Sequence, residues 1–182
     1  MEKRKRDPVV PEMRKSLMTN RDGRLTAGQW FDLIVQPLLL LGILLVLAFV
    51  FFSDLILEAF DELWWLILPI AALLILVPAL FRAYRYARMP VHFAKLSAEP
   101  HDWWAFRKPM LFYTGVGAPV KFTRRIAPRL PLHLNEEYLV YYLDEPQGKT
   151  ILSIAPADHE DADQWQPTRN FTIRQEKRAR QS

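Results

Sequence analysis

The chain of 182 residues contains no cysteine, six glycines and four histidines. Without thiols it has no disulfide framework, thiolate nucleophile, Cys-ligated zinc, iron–sulfur cluster or cysteine-linked lipid anchor. His92, His101, His133 and His159 show neither the His-x-x-x-His nor the His-Glu-x-x-His spacing that puts two imidazoles on one helix face. Gly115-Val116-Gly117 lacks the third glycine of a dinucleotide loop and the Gly-Lys-Ser/Thr of a phosphate loop, so it reads as a turn. Ser153 falls in an expected strand rather than in a Gly-x-Ser-x-Gly elbow. Internal repeats are absent. The expectation is therefore a non-enzymatic protein with no catalytic residue, cofactor or metal site.

Ionisable side chains are missing from two stretches, Leu33 to Phe52 and Leu63 to Phe81, of 20 and 19 residues. At about 1.5 Å per residue, each helix would reach roughly 30 Å, the thickness of a bilayer's hydrocarbon core. The first run holds 16 residues drawn from Leu, Ile, Val and Phe, together worth roughly 5 to 10 kcal/mol of insertion free energy. Neither run has a polar face to offer water, as a core helix of a soluble protein would. The first continues into Phe51-Phe52-Ser53-Asp54 without a small-residue cleavage site, so it reads as a retained anchor.

Basic residues set the orientation. Residues 1–32 carry eight Lys or Arg, and Arg82, Arg85, Arg88 and Lys95 follow the second run before any acid. The connection from Ser53 to Glu62 holds Asp54, Glu58, Asp61 and Glu62 with no base. Both termini are expected in the cytoplasm, on a helical hairpin in the cell (inner) membrane. Thr26-Ala27-Gly28-Gln29 has capping-box spacing and places the first helix start near Thr26. Met89-Pro90 should end the second near Arg88. Trp30, Trp64, Trp65, Arg82, Tyr84, Arg85 and Arg88 are the expected interfacial anchors, with the arginines within reach of anionic lipid headgroups. Pro37, Pro69 and Pro78 predict bends.

The domain plan that follows has five parts: a basic N-terminal segment (1–25), the transmembrane hairpin (26–88), a juxtamembrane connector (89–110), a small β domain (111–156) and a polar, flexible tail (157–182). Within the β domain, Val120 to Ile126 and Leu130, Leu132 and Leu134 alternate. Tyr138 to Leu143 and Thr150 to Ala155 flank a reversing segment, Asp144 to Lys149, and predict an antiparallel hairpin. The expected fold is a two-helix membrane hairpin carrying a small antiparallel β domain, either barrel-like or an open sheet. The acidic cluster Asp158, His159, Glu160, Asp161 and Asp163 lacks EF-hand spacing and reads as linker. The interrupted basic ends without aromatic platforms argue against specific nucleic-acid binding.

Tyr138-Leu139-Val140-Tyr141-Tyr142 followed by Ile151-Leu152-Ser153-Ile154 resembles the β segment of uncharacterised bacterial membrane proteins that pair a helical hairpin with a juxtamembrane β domain. The resemblance implies architecture and carries no site residues. The preferred expectation is an interaction or assembly module with a protein partner or a second copy, docking through Arg124, Arg125, Tyr141 and Tyr142. The alternatives are a subunit of an oligomeric channel or transporter shaped by Gln36 and the prolines, an accessory subunit of a larger membrane complex, and an interfacial enzyme using His92, His101 or Glu99.

Overall fold

A computed structural model describes residues 7–51, 67–100, 109–113 and 120–179. The chain divides into two units, one made of Met1–Thr26 with Met89–Ser182 and the other of Ala27–Arg88. The second unit is therefore an excursion from the first, which is assembled from both ends of the sequence.

The Ala27–Arg88 unit is helical. Helix α2 (Ala27–Phe51) starts one residue after Thr26 and is, among the described residues, the one helix long and apolar enough to cross a membrane. Its first part widens into a π turn at Phe31–Val35, where the Gln36 N–H reaches back to the Phe31 carbonyl. Pro37 accounts for this, because it has no N–H to donate and its ring crowds the carbonyl of Leu33, four residues earlier. Helix α3 (Ile67–Arg88) carries Pro78 inside and stops before Met89-Pro90. The beginning of the second apolar run, Leu63 to Leu66, lies outside the described residues, as do Trp64, Trp65 and the acidic connection before them.

The other unit is built on one five-stranded sheet of order β2-β1-β4-β5-β3, with β1 at Val91–Pro100, β2 at Pro109–Tyr113, β3 at Phe122–Arg125, β4 at Glu137–Glu145 and β5 at Gly148–Pro156. The β4–β5 hairpin has the antiparallel pairing expected from its sequence, with Val140 opposite Ile154 and Tyr141 opposite Ser153. Of the two expected closures the open sheet is found, with β2 and β3 at its edges. Two differences correct the sequence-based expectation. The sheet is mixed rather than antiparallel, because β3 lies parallel to β5. It begins at Val91, inside the stretch expected to be a connector, because β1 finds its partner 45 residues or so downstream in β4, with Phe93 opposite Tyr141. Leu130, Leu132 and Leu134 form no strand. They lie in an irregular segment in which Leu130 is buried and the His133 N–H donates to the Tyr138 hydroxyl.

Neither end of this unit is a solvated tail. Helix α1 (Pro11–Asn20) has Pro at its first turn and Glu12 beside it, both favoured at a helix N-terminus. Met13, Leu17 and Asn20, at helical spacing, are buried against β5. The C-terminal stretch forms a 3-10 turn at Ala162–Trp165 and helix α4 (Arg169–Ala179), burying Trp165 and Phe171. The composition is polar, yet one large buried aromatic residue in each element, Trp165 and Phe171, supplies apolar area to dock it. As a result Tyr138 to Leu143 of β4 are buried on both faces of the sheet.

Candidate functional site

The aromatic pair expected to form a docking surface is part of the core. Tyr141 is fully buried. Its hydroxyl donates to the Trp165 carbonyl at 2.6 Å and its ring meets Phe93 and, edge-on, Phe171. Burial raises its pKa, so the phenol stays protonated. Tyr142, on the opposite face, is also buried. It stacks on His92 at 5.4 Å, takes the Phe122 edge at 5.8 Å and lies under the Lys149 ammonium at 5.0 Å. Its hydroxyl is 3.2 Å from that of Tyr113, the two sharing one hydrogen bond, and burial raises its pKa as well. The physical reason for the misplacement is strand order: β4 is a central strand, which no local pattern reveals.

Arg125 is likewise committed to structure. Its Nε donates to the Ala127 carbonyl at 3.2 Å and Nη2 to the Pro128 carbonyl at 2.6 Å, fixing the chain where it leaves β3, and burial lowers its pKa. Arg124 sits on the same edge strand, half-buried. Of the expected interfacial anchors, Trp30 lies in the first turn of α2, and Arg82, Tyr84, Arg85 and Arg88 lie in the last turns of α3. Arg88 stands over the Tyr84 ring at 4.1 Å, one turn earlier, and Arg85 is 5.9 Å from the Tyr86 ring.

Two polar clusters were hidden in the sequence because each joins segments far apart in it. The first fastens the N-terminal segment to the stretch after β5. Asp7 accepts from the Val9 N–H at 2.8 Å, from Arg14 and from His159 Nε2 at 3.1 Å. Arg14 also donates to Asp161 at 2.7 Å. The Asp161 N–H donates to His159 Nδ1 at 3.1 Å, so Nδ1 is the acceptor and Nε2 carries the proton toward Asp7. The Val9 amide first, then Arg14 and His159, hold the Asp7 carboxyl down to about 2. Behind this clasp the Asn20 amide donates to the Ser153 hydroxyl at 2.8 Å, both side chains being fully buried. Thr168 accompanies them, its N–H donating to the Arg21 carbonyl at 3.0 Å and its hydroxyl to Asp22 at 2.7 Å.

The second cluster secures the joint at which the chain enters the sheet. Arg178 Nη1 of α4 donates to the Met89 carbonyl at 2.8 Å, and Gln175 Nε2 donates to the Val91 carbonyl. Met89-Pro90 ends the helix, and these side chains satisfy carbonyls that a continuing helix would have used.

His92, raised as a catalytic candidate, is half-buried against Tyr142, and burial lowers its pKa. His101 lies outside the described residues, and Glu99 accepts a hydrogen bond from Ser97 at 3.0 Å. Among the described residues no three His, Asp or Glu side chains converge as metal ligands would. No protein-family model, curated protein or solved structure matches the chain.

Proposed function

We propose that this chain is a membrane-anchored assembly module, in which the Ala27–Arg88 unit crosses the bilayer twice as a hairpin and the unit built from both chain ends faces the cytoplasm and receives a protein partner. One observation carries the topology: α1, which precedes the apolar unit, docks on β5, which follows it. Two segments packed together in water lie on the same side of any membrane, so the intervening chain crosses it an even number of times. The two apolar runs provide two crossings.

The surface of the helical unit supports lipid as its solvent. Leu39, Leu40, Ile43, Leu44, Val46, Leu47, Phe49 and Val50 of α2 are all exposed, and at 3.6 residues per turn they sweep more than half of its circumference. On α3, Leu73, Leu76, Leu80 and Phe81 are exposed as well. A contiguous apolar surface of this extent is costly in water and ordinary in hydrocarbon. The basic residues on both flanks of the unit orient the ends inward.

With β4 enclosed, the surface offered to a partner is the outside of α1, of α4 and of the edge strand β3, where Met18, Ile173 and Thr123 are exposed. The test uses the absence of native cysteine, which makes every introduced thiol unique. Lys15→Cys and Asp158→Cys should both react with a membrane-impermeant maleimide in inverted vesicles and not in sealed cells. Reaction from opposite faces, or release of the protein by alkaline carbonate, would remove the hairpin reading. Crosslinking in native membranes should then give a reproducible adduct, and a monomer alone under all conditions refutes the assembly role.

A further inference from the structure

We propose that the outer edge of β3 receives an acidic, extended segment of a partner protein as an added strand, with Arg125 offering the backbone bonds and Lys121 and Arg129 the charge. The inference rests on the assembly reading above and gives the partner its chemistry. It begins from composition. From Trp103 to Asn135 the chain carries Arg107, Lys108, Lys121, Arg124, Arg125 and Arg129 but no Asp or Glu, although 20 acids stand in the whole sequence. Strand β3 lies inside this stretch and at the edge of the sheet, and among the described residues no strand lies beyond it. The Ile126 N–H donates to the Ile151 carbonyl of β5 at 2.9 Å. Successive residues of a strand direct their backbone groups to opposite sides, so the N–H and C=O of Arg125 turn outward, a donor and an acceptor of the kind that strand addition uses.

The side chains favour an acidic occupant. Lys121 and Arg129 are exposed and Arg125 is half-buried, and among the described residues no ion pair engages any of the three. The Arg125 guanidinium spends its Nε and Nη2 donors on the carbonyls of Ala127 and Pro128, which fix it in place without neutralising it. Burial first and then the nearby Arg129 charge lower the Arg125 pKa, so the two bases repel and an anion beside them relieves the repulsion. A second copy pairing edge to edge would set bases against bases, and a nucleic acid has no peptide backbone to continue the ladder. A partner strand bearing Asp or Glu satisfies the backbone and the charge together, and the same bases reject a basic strand.

The experiment titrates the full-length protein, in nanodiscs of neutral phosphatidylcholine, into a fluorescein-labelled peptide of alternating glutamate and threonine, read by fluorescence anisotropy. This peptide should bind, its lysine counterpart should not, and rising salt should weaken the binding. An exposed ion pair is worth about 1.4- to 5-fold, so Lys121→Gln/Arg129→Gln should weaken it about 2- to 30-fold. Both side chains are exposed, so the double variant should keep the parent's circular dichroism. N-methylation of every peptide bond keeps the charge, removes the strand donors and should weaken binding about 2- to 10-fold. The inference is overturned by an acidic peptide that does not bind, by a double variant or an N-methylated peptide that binds as the parent pair does, or by tighter binding of a single-stranded oligonucleotide of the same charge. Self-association that the double variant abolishes assigns the edge to a second copy and overturns it as well. Crosslinking in native membranes separates the two readings: an adduct undiminished in the double variant refutes only the β3 surface, whereas a parent protein that gives no adduct refutes the assembly role beneath it.

Discussion

Removing the Ser153 hydroxyl should loosen α1 from the sheet. In the native protein the Asn20 amide donates to Ser153 at 2.8 Å, both side chains are fully buried, and Asn20 Oδ1 has no partner among the described residues. Ser153→Ala leaves the whole amide unpaired in the interior, at a cost of about 1 to 3 kcal/mol. That cost falls on the docked state alone, because an undocked α1 turns Asn20 to water. The local opening equilibrium of α1 should therefore rise about 5- to 150-fold. Hydrogen exchange followed by mass spectrometry on peptides covering residues 11–20 reads this directly. Asn20→Leu should cost a comparable amount, since it orphans the hydroxyl. The double variant Asn20→Leu/Ser153→Ala removes both polar groups and the native orphan as well, and should exchange at or below the parent rate. With the double variant near the parent, the cycle thus yields a coupling energy of about 2 to 6 kcal/mol, the sum of the two single costs. Additive single effects, or α1 exchange that does not respond to Ser153→Ala, would refute the docking of α1 on β5 and with it the even number of crossings.

Gly148 has φ of +129°, and a Cβ there would lie 2.3 Å from Thr123 Cγ2 and 2.6 Å from its Oγ1. Gly148→Ala should destabilise the globular unit by about 2 to 5 kcal/mol through backbone strain and overpacking, read as faster exchange of β5 and partly recovered by Thr123→Ala. Tyr141→Phe should lower the thermal midpoint by the equivalent of about 1 to 2 kcal/mol, because it strands the Trp165 carbonyl, with secondary structure unchanged by circular dichroism. The clasp predicts an acid response of definite sign. The Asp7 carboxyl is depressed from 3.8 to about 2, so its contribution is complete above the unfolded value and is lost as pH falls through the folded one. Asp7→Asn should flatten the stability profile between pH 4 and 2, an effect best measured at low salt because the carboxylate is 42% exposed.

Features fixed by neighbours in sequence were legible from sequence. The capping signal at Thr26, the stop at Met89-Pro90 and the Asp144 to Lys149 reversal each depend on a few adjacent residues, and α2 begins, α3 ends and the β4–β5 hairpin pairs as expected. Strand β1 was not legible. His92, Lys95, Ser97 and Glu99 dilute its apolar alternation, and its stability comes from β4 beyond two intervening segments. The parallel β3–β5 pairing is equally non-local. Helices α1 and α4 bury too few apolar residues for a period to stand out, and in α1 a buried position is filled by asparagine. The docking residues were misplaced for a related reason. A tyrosine looks the same in sequence on an outer strand as on a central one, and the position of β4 is set by β1.

Asn20 and Ser153 are separated by 133 positions, and a ribosome adding roughly 5 to 20 residues per second needs about 7 to 27 s to traverse them. Throughout that interval α1 has no seat, while the apolar Ala27–Arg88 stretch is being made. Its make-up suits the wait. Glu12, Arg14, Lys15, Ser16 and Thr19 keep most of its surface hydrated, and the two buried apolar positions, Met13 and Leu17, are too few to draw it into lipid or into aggregates before β5 arrives.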